Sequence, residues 1–153
     1  MSYQFLVHGD RWAARQGGSG QLASFAYPED FPGYPANPAP GTDQVVLVDW
    51  IKMVVSTSIT VANRRPRLKV IDENGQKQIE WHSGVTLPAL TNSGIVHFSS
   101  NPGGQDVITG GVLRMELPSG VLMMTGWHLE LDLIGVQAGD SIDEVCFGGR
   151  FEG

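Results

Sequence analysis

Beyond residue 42 the chain alternates apolar and polar residues in short runs, the signature of strands with one buried side. The clearest run is WHLELDLI at 127–134. Its Trp127, Leu129, Leu131 and Leu133 share one face, and His128, Glu130 and Asp132 share the other. A second run, RPRLKVID at 65–72, puts Leu68 and Val70 opposite Arg65, Arg67 and Lys69. DENG closes it with a turn ending in glycine, and KQIEW at 77–81 is the expected return strand. GIVHF at 94–98, VLRMEL at 112–117 and SIDEVCF at 141–147 read as further strands, separated by SSNPGGQD, PSG and QAGD turns. Residues 45–55 are rich in Val and Ile and nearly continuous in apolarity, which predicts a strand buried on both faces. STSIT at 56–60 has strong β propensity.

The first 41 residues follow another pattern. DRWAARQ at 10–16 suits a short helix, and GGSG at 17–20 suits a flexible linker. PEDFPGYPANPAPG at 28–41 holds five of the nine prolines, and proline favours extended, locally polyproline-like geometry. Phe25, Tyr27, Phe31 and Tyr34 are interleaved with them. These rings need a surface to lie on, either that of their own domain or that of a neighbouring subunit. Short strands with Gly and Pro turns and no long helical period predict an all-β fold. The expected architecture is an antiparallel β-sandwich or a barrel over residues 42–153 with an extended N-terminal arm over residues 1–41.

Composition narrows the function. A chain of 153 residues supports one domain, which at this size buries roughly 68–70% of its unfolded surface. The formal net charge of −6 argues against a protein whose task is neutralising phosphates, so no nucleic-acid partner is expected. The longest apolar region is interrupted by Asp49 and Lys52, so no membrane partner is expected. Cys146 is the only cysteine. An intrachain disulfide is therefore excluded, and folding in a reducing compartment, without a secretory leader, is expected.

Candidate chemistry is sparse. His128, Glu130 and Asp132 are metal-capable types on one face, but positions two apart lie roughly 6.6–6.8 Å from each other along a strand. One strand would not wrap a metal, and the His-x-His pair of cupin-type jelly-roll enzymes is absent. No G-x-S-x-G elbow occurs, and Cys146 in EVCF reads as a small core residue. No catalytic residue, metal or cofactor is expected. The basic cluster Arg64, Arg65 and Arg67 is either a solvated strand face or a contact for an acidic protein surface. Among the tryptophans, Trp50 and Trp127 are expected in the core, while Trp12 and Trp81 leave room for a sugar-binding surface.

Two stretches carry a resemblance: VDWIKMVVSTSITVANRRPRLKVIDENG at 48–75 and LPSGVLMMTGWHLELDLIGVQAGDSI at 117–142. Residues 42–147 resemble the small β-sandwich domains of tailed-bacteriophage virion proteins. The resemblance implies a jelly-roll-like fold and a capsid cement or decoration protein on the virion surface, assembled in the host cytoplasm. Its implied partners are the major capsid protein and itself, as homodimer or homotrimer. In that role Phe25, Tyr27, Phe31 and Tyr34 would anchor the arm, and Arg64, Arg65 and Arg67 would supply a basic contact. The rival readings are a carbohydrate- or receptor-binding sandwich of a phage tail or fibre, and a cupin-type enzyme.

Overall fold

A computed structural model describes residues 3–8, 11–27, 29–31, 45–99, 107–109, 112–117 and 121–152. Among them lie twelve strands and no helix. They are β1 (Tyr3–His8), β2 (Arg11–Gly20), β3 (Ala23–Ala26), β4 (Val45–Ser56), β5 (Arg65–Ile71) and β6 (Lys77–His82). The rest are β7 (Gly94–Ser99), β8 (Val107–Thr109), β9 (Val112–Glu116), β10 (Val121–Met123), β11 (His128–Ile134) and β12 (Ser141–Glu152).

The larger sheet runs β1-β2-β12-β4-β7-β9-β8, with β10 pairing the first part of β4; the smaller runs β3-β11-β5-β6. Leave aside β1, β8, β9 and β10, and eight strands remain. In chain order they pair first-eighth-third-sixth in one sheet and second-seventh-fourth-fifth in the other. That is the strand order of a jelly roll, two Greek keys folded face to face. The all-β sandwich expected from the alternation is what the chain forms. All pairings are antiparallel except that of β7 with β9, which is parallel.

The core lies between the sheets and is filled by the inward half of each alternation. On β11 these are Leu129, Leu131 and Leu133; on β5, Leu68 and Val70; on β7, Val96 and Phe98. β4 departs from the expectation of burial on both faces. Val46, Val48, Ile51, Met53 and Val55 are buried, while the residues between them, Trp50 included, are only half-buried. Its outer face mixes apolar Leu47, Trp50 and Val54 with charged Asp49 and Lys52. STSIT does not extend it, because β4 ends at Ser56.

The N-terminal expectation needs the larger correction. Where residues 1–41 are described they belong to the sandwich, and are not an arm outside it. β2 pairs β12 and β3 pairs β11, both antiparallel, the first with a register shift between Ile142 and Glu144. RWAARQ, residues 11–16 of that stretch, is strand, not helix, and the GGSG stretch lies within β2. Ala, Arg and Gln favour helix, but Trp12, Ala14 and Gln16 alternate inward and the free edge of β12 takes them up; tertiary pairing overrides weak propensity.

Phe25, Tyr27 and Phe31 are core residues. Phe25 packs on Phe147 with ring centroids 4.5 Å apart, and Phe31 sits 5.2 Å from Phe147, 5.5 Å from Trp12 and 5.5 Å from Tyr27. Each buried ring of this size contributes about 1.5–3 kcal/mol. The five prolines of 28–41 lie outside the described residues, whereas Phe25, Tyr27 and Phe31 close the sandwich from within. Tyr34 lies outside the described residues.

Candidate interaction surface

The pairing registers bring four connections to one end of the sandwich. Gly20 faces Ile142, Ser56 faces Ser141, Val55 faces Gly94 and Arg65 faces Ile134. Residues 21–22, 57–64, 83–93 and 135–140 therefore gather there. They present a set of apolar side chains to solvent. Ile59 is 76% exposed, Val61 89% and Leu90 70%, with Leu22 and Val136 also exposed. A single exposed apolar residue is ordinary, whereas a group at one end marks a contact surface.

This end is rigidly built. Arg64 and Asp140 form an ion pair at 2.7 Å with neither side chain exposed. Arg64 Nη2 also donates to Ser58 Oγ at 3.1 Å and to the Thr60 carbonyl at 2.7 Å. Asp140 accepts from the backbone N–H groups of Ser58 and Gln137, both at 2.8 Å. Burial raises the Asp140 pKa. The Arg64 hydrogen bond, those two N–H groups and the Arg64 charge outweigh it and hold the carboxyl at about 2. One carboxylate thus ties the 57–64 and 135–140 loops together.

The other loops are tied in as well. Thr57 and Thr91 exchange hydrogen bonds through backbone and hydroxyl, and the Leu90 N–H donates to the Ser58 carbonyl at 3.0 Å. Leu87 pairs with Arg64 as an isolated bridge. Gln21 Nε2 donates to the Gln137 carbonyl at 3.0 Å. At Gly135, with φ +74°, a Cβ would run into the Asn63 carbonyl, so only glycine permits this close approach. Leu90 holds a left-handed φ of 58°, which costs about 1–2 kcal/mol for a residue with a Cβ. The Leu90 N–H bond to the Ser58 carbonyl holds the exposed leucine there against that strain.

Two of the three arginines of the basic cluster, Arg64 and Arg67, are spent inside the molecule. Arg64 lies in the buried pair just described and is closed to any partner. Arg67 grips Asp132 with two bonds, Nε at 2.8 Å and Nη2 at 2.7 Å, and lies 3.5 Å from Glu80. Lys69 sits 3.8 Å from both Glu130 and Asp132. The outer face of the smaller sheet is therefore a cross-strand ladder of opposite charges. The Asp132 hydrogen bond, opposed by desolvation and aided by the nearby carboxylates, raises the Arg67 pKa. Arg65 stands at the head of β5 opposite Ile134, half-buried, at the edge of the apolar end.

The remaining candidates also find local partners. His128 Nε2 lies 3.2 Å from Glu130 Oε1, and among the described residues no group of three or more His, Cys, Asp or Glu could hold a metal. The Cys146 thiol donates to Glu144 at 3.4 Å; burial first, then that carboxylate, pushes its pKa up. Trp12 is buried, while Trp81 and Trp127 are half-buried against the core.

The sequence reading passed over Ile59, Val61, Leu90 and Val136. A signal existed: two β-branched residues in alternation within the Ser- and Thr-rich stretch 56–61. Strand propensity hides it, because the same residue types also favour strands. No protein-family model matches the chain, and no curated protein matches it.

Proposed function

We propose that this chain is a non-enzymatic virion structural protein, a capsid cement or decoration protein that binds the phage head shell through contacts bridging its subunits. The observation that carries the reading is the loop end: Ile59, Val61 and Leu90 held out to solvent on a frame fixed by the Arg64–Asp140 pair. A preformed apolar surface binds without an ordering penalty. The aromatic arm, first expected to do this, is largely core, so the docking role passes to the loops.

The partners on this reading are the major capsid protein and a second or third copy of the chain, at the capsid surface. Several weak apolar contacts across a lattice add through avidity. The jelly-roll topology and the resemblance of residues 42–147 to phage sandwich domains support the virion assignment. Neither dictates it, since a fold hosts many functions.

Cosedimentation with shells assembled from the accompanying major capsid protein tests the reading. Wild-type protein should pellet with shells. A triple variant Ile59→Asp, Val61→Asp, Leu90→Asp, shown folded by its thermal transition, should stay in the supernatant. Failure of the wild type to bind shells, or equal binding by the variant, would overturn the proposal.

A further inference from the structure

The outer face of the larger sheet carries a depression of about 190 Å³, toward the end of β4 away from the docking loops. Leu6, His8, Arg11, Ala13, Asp49 and Trp50 line it, with Trp12 and Gly149 at its base. Two adjacent glycines make room for it. Trp50 faces Gly148 across the β4–β12 pairing, and a Cβ there would lie 2.6 Å from the indole Cε2 and Cζ2. The ring therefore rests directly on the backbone of β12. At the next step the register slips: Gly149 faces Val48, leaving Asp49 as the extra residue of a bulge. A Cβ on Gly149 would overlap the Leu47 carbonyl. Bulges re-aim side chains, and here Asp49 receives two bonds from Arg150, Nε at 2.9 Å and Nη2 at 3.1 Å.

The result is an aromatic platform backed by glycine, with charged and hydrogen-bonding groups at its rim. The volume is well below the roughly 300–1,000 Å³ of sites for drug-sized molecules, and suits a single ring. The rim chemistry selects its charge. Among the described residues Arg11, which lines the depression, forms no ion pair, nor does Lys52, which follows Trp50 on the same face of β4. Lys52 pairs in register with His97, and His97 with Arg114. Burial, and then Arg114 and Lys52, lower the His97 pKa, as a locally positive face would. With Asp49 paired to Arg150 and Glu144 to Arg15, this face keeps Arg11, Lys52 and Arg114 outside any ion pair among the described residues, and so favours an anion.

We propose that the Trp50 depression binds a carboxylate-bearing sugar of an acidic polysaccharide, with the pyranose ring stacked on Trp50 and its carboxylate met by Arg11. A planar guanidinium suits a carboxylate bidentately, and the flat indole suits the apolar side of a pyranose. A polynucleotide is disfavoured because its dense phosphate charge meets a net-negative protein. The site lies apart from Ile59, Val61 and Leu90, so it stands or falls independently of shell binding.

The test is titration of intrinsic tryptophan fluorescence, with calorimetry, on the full chain. The probes are trigalacturonate and sialyllactose, their neutral counterparts maltotriose and lactose, and a single-stranded oligothymidylate. At least one acidic saccharide should bind about tenfold or more tighter than the neutral ones. Trp50→Ala should weaken binding about tenfold or more. Arg11→Gln, at an exposed position that leaves the fold intact, should erase the preference for acidic over neutral sugar. No binding of either acidic saccharide at millimolar concentration would overturn the proposal. So would binding that Arg11→Gln leaves unchanged, or tighter binding of the oligonucleotide.

Discussion

Arg64 and Asp140 stand 76 positions apart in sequence and meet at 2.7 Å with no exposed side-chain surface. A buried pair of this kind is weak evidence of net stability, because desolvation opposes the attraction. Its effect is geometric: it fixes which loops touch and where Ile59 and Leu90 point. Removing one partner strands the other charge in the interior. Arg64→Ala or Asp140→Ala should each destabilise the fold by about 3–5 kcal/mol, read by urea unfolding. The double variant should be much less than additive.

The same pair sets an acid response. The folded Asp140 pKa, about 2, lies below its ordinary 3.8. A depressed carboxylate contributes stability that is present above the unfolded value and is lost as pH falls through the folded one. Its contribution should therefore hold above pH 4 and fade between about 3.8 and 2. Asp140→Asn should remove that part of the pH dependence. An unfolding free energy that falls equally in wild type and variant over this window would contradict the assignment.

Phe31 separates the structure from the sequence reading. As an arm anchor it would be dispensable to folding; as a neighbour of Trp12, Tyr27 and Phe147 it is not. Phe31→Ala and Phe25→Ala should each cost about 3–5 kcal/mol. Deletion of residues 1–41 removes two of the eight jelly-roll strands and should leave a chain without a cooperative thermal transition.

How far the fold could be read depended on how loudly each strand alternates. β11 and β5 carry large apolar residues at every second position, so their faces and register were legible. β2 carries one, Trp12, with Ala14 and Gln16 beside it and glycines after, and its partner β12 lies about 130 residues further on by the pairing of Gln16 with Val145. Local pattern holds no trace of that pairing. Three arginines in NRRPR look alike in sequence. Period two separates them, sending Arg64 inward with Leu68 and Arg67 outward, but only the three-dimensional fold supplies Asp140 for one and Asp132 for the other. The apolar end was invisible for a related reason: it is assembled from four loops, each contributing one or two residues.

Cys146 offers a check on the non-enzymatic reading. Its thiol is half-buried, and burial and Glu144 both raise its pKa, so little thiolate exists near neutral pH. Alkylation by iodoacetamide at pH 8 should be slower in the folded protein than for free glutathione, and should accelerate on unfolding in urea. Reaction faster than glutathione would mark an activated thiol and count against this account.

Gly148 is where the sheet and the Trp50 platform depend on one hydrogen atom. Any Cβ there meets the indole at 2.6 Å, closer than real carbon atoms approach. Gly148→Ala must then lift Trp50 off the strand or shift β12 against β4, which carries more buried apolar side chains than any other described strand of the larger sheet. Overpacking of this sort costs about 1–3 kcal/mol. If the ring lifts, it loses its glycine backing and gains water, so the tryptophan emission should move to longer wavelength while the thermal midpoint falls. A midpoint that drops without any spectral change would mean that the strand gave way and the ring did not. Unchanged stability and emission together would mean that Trp50 does not rest on Gly148 in solution.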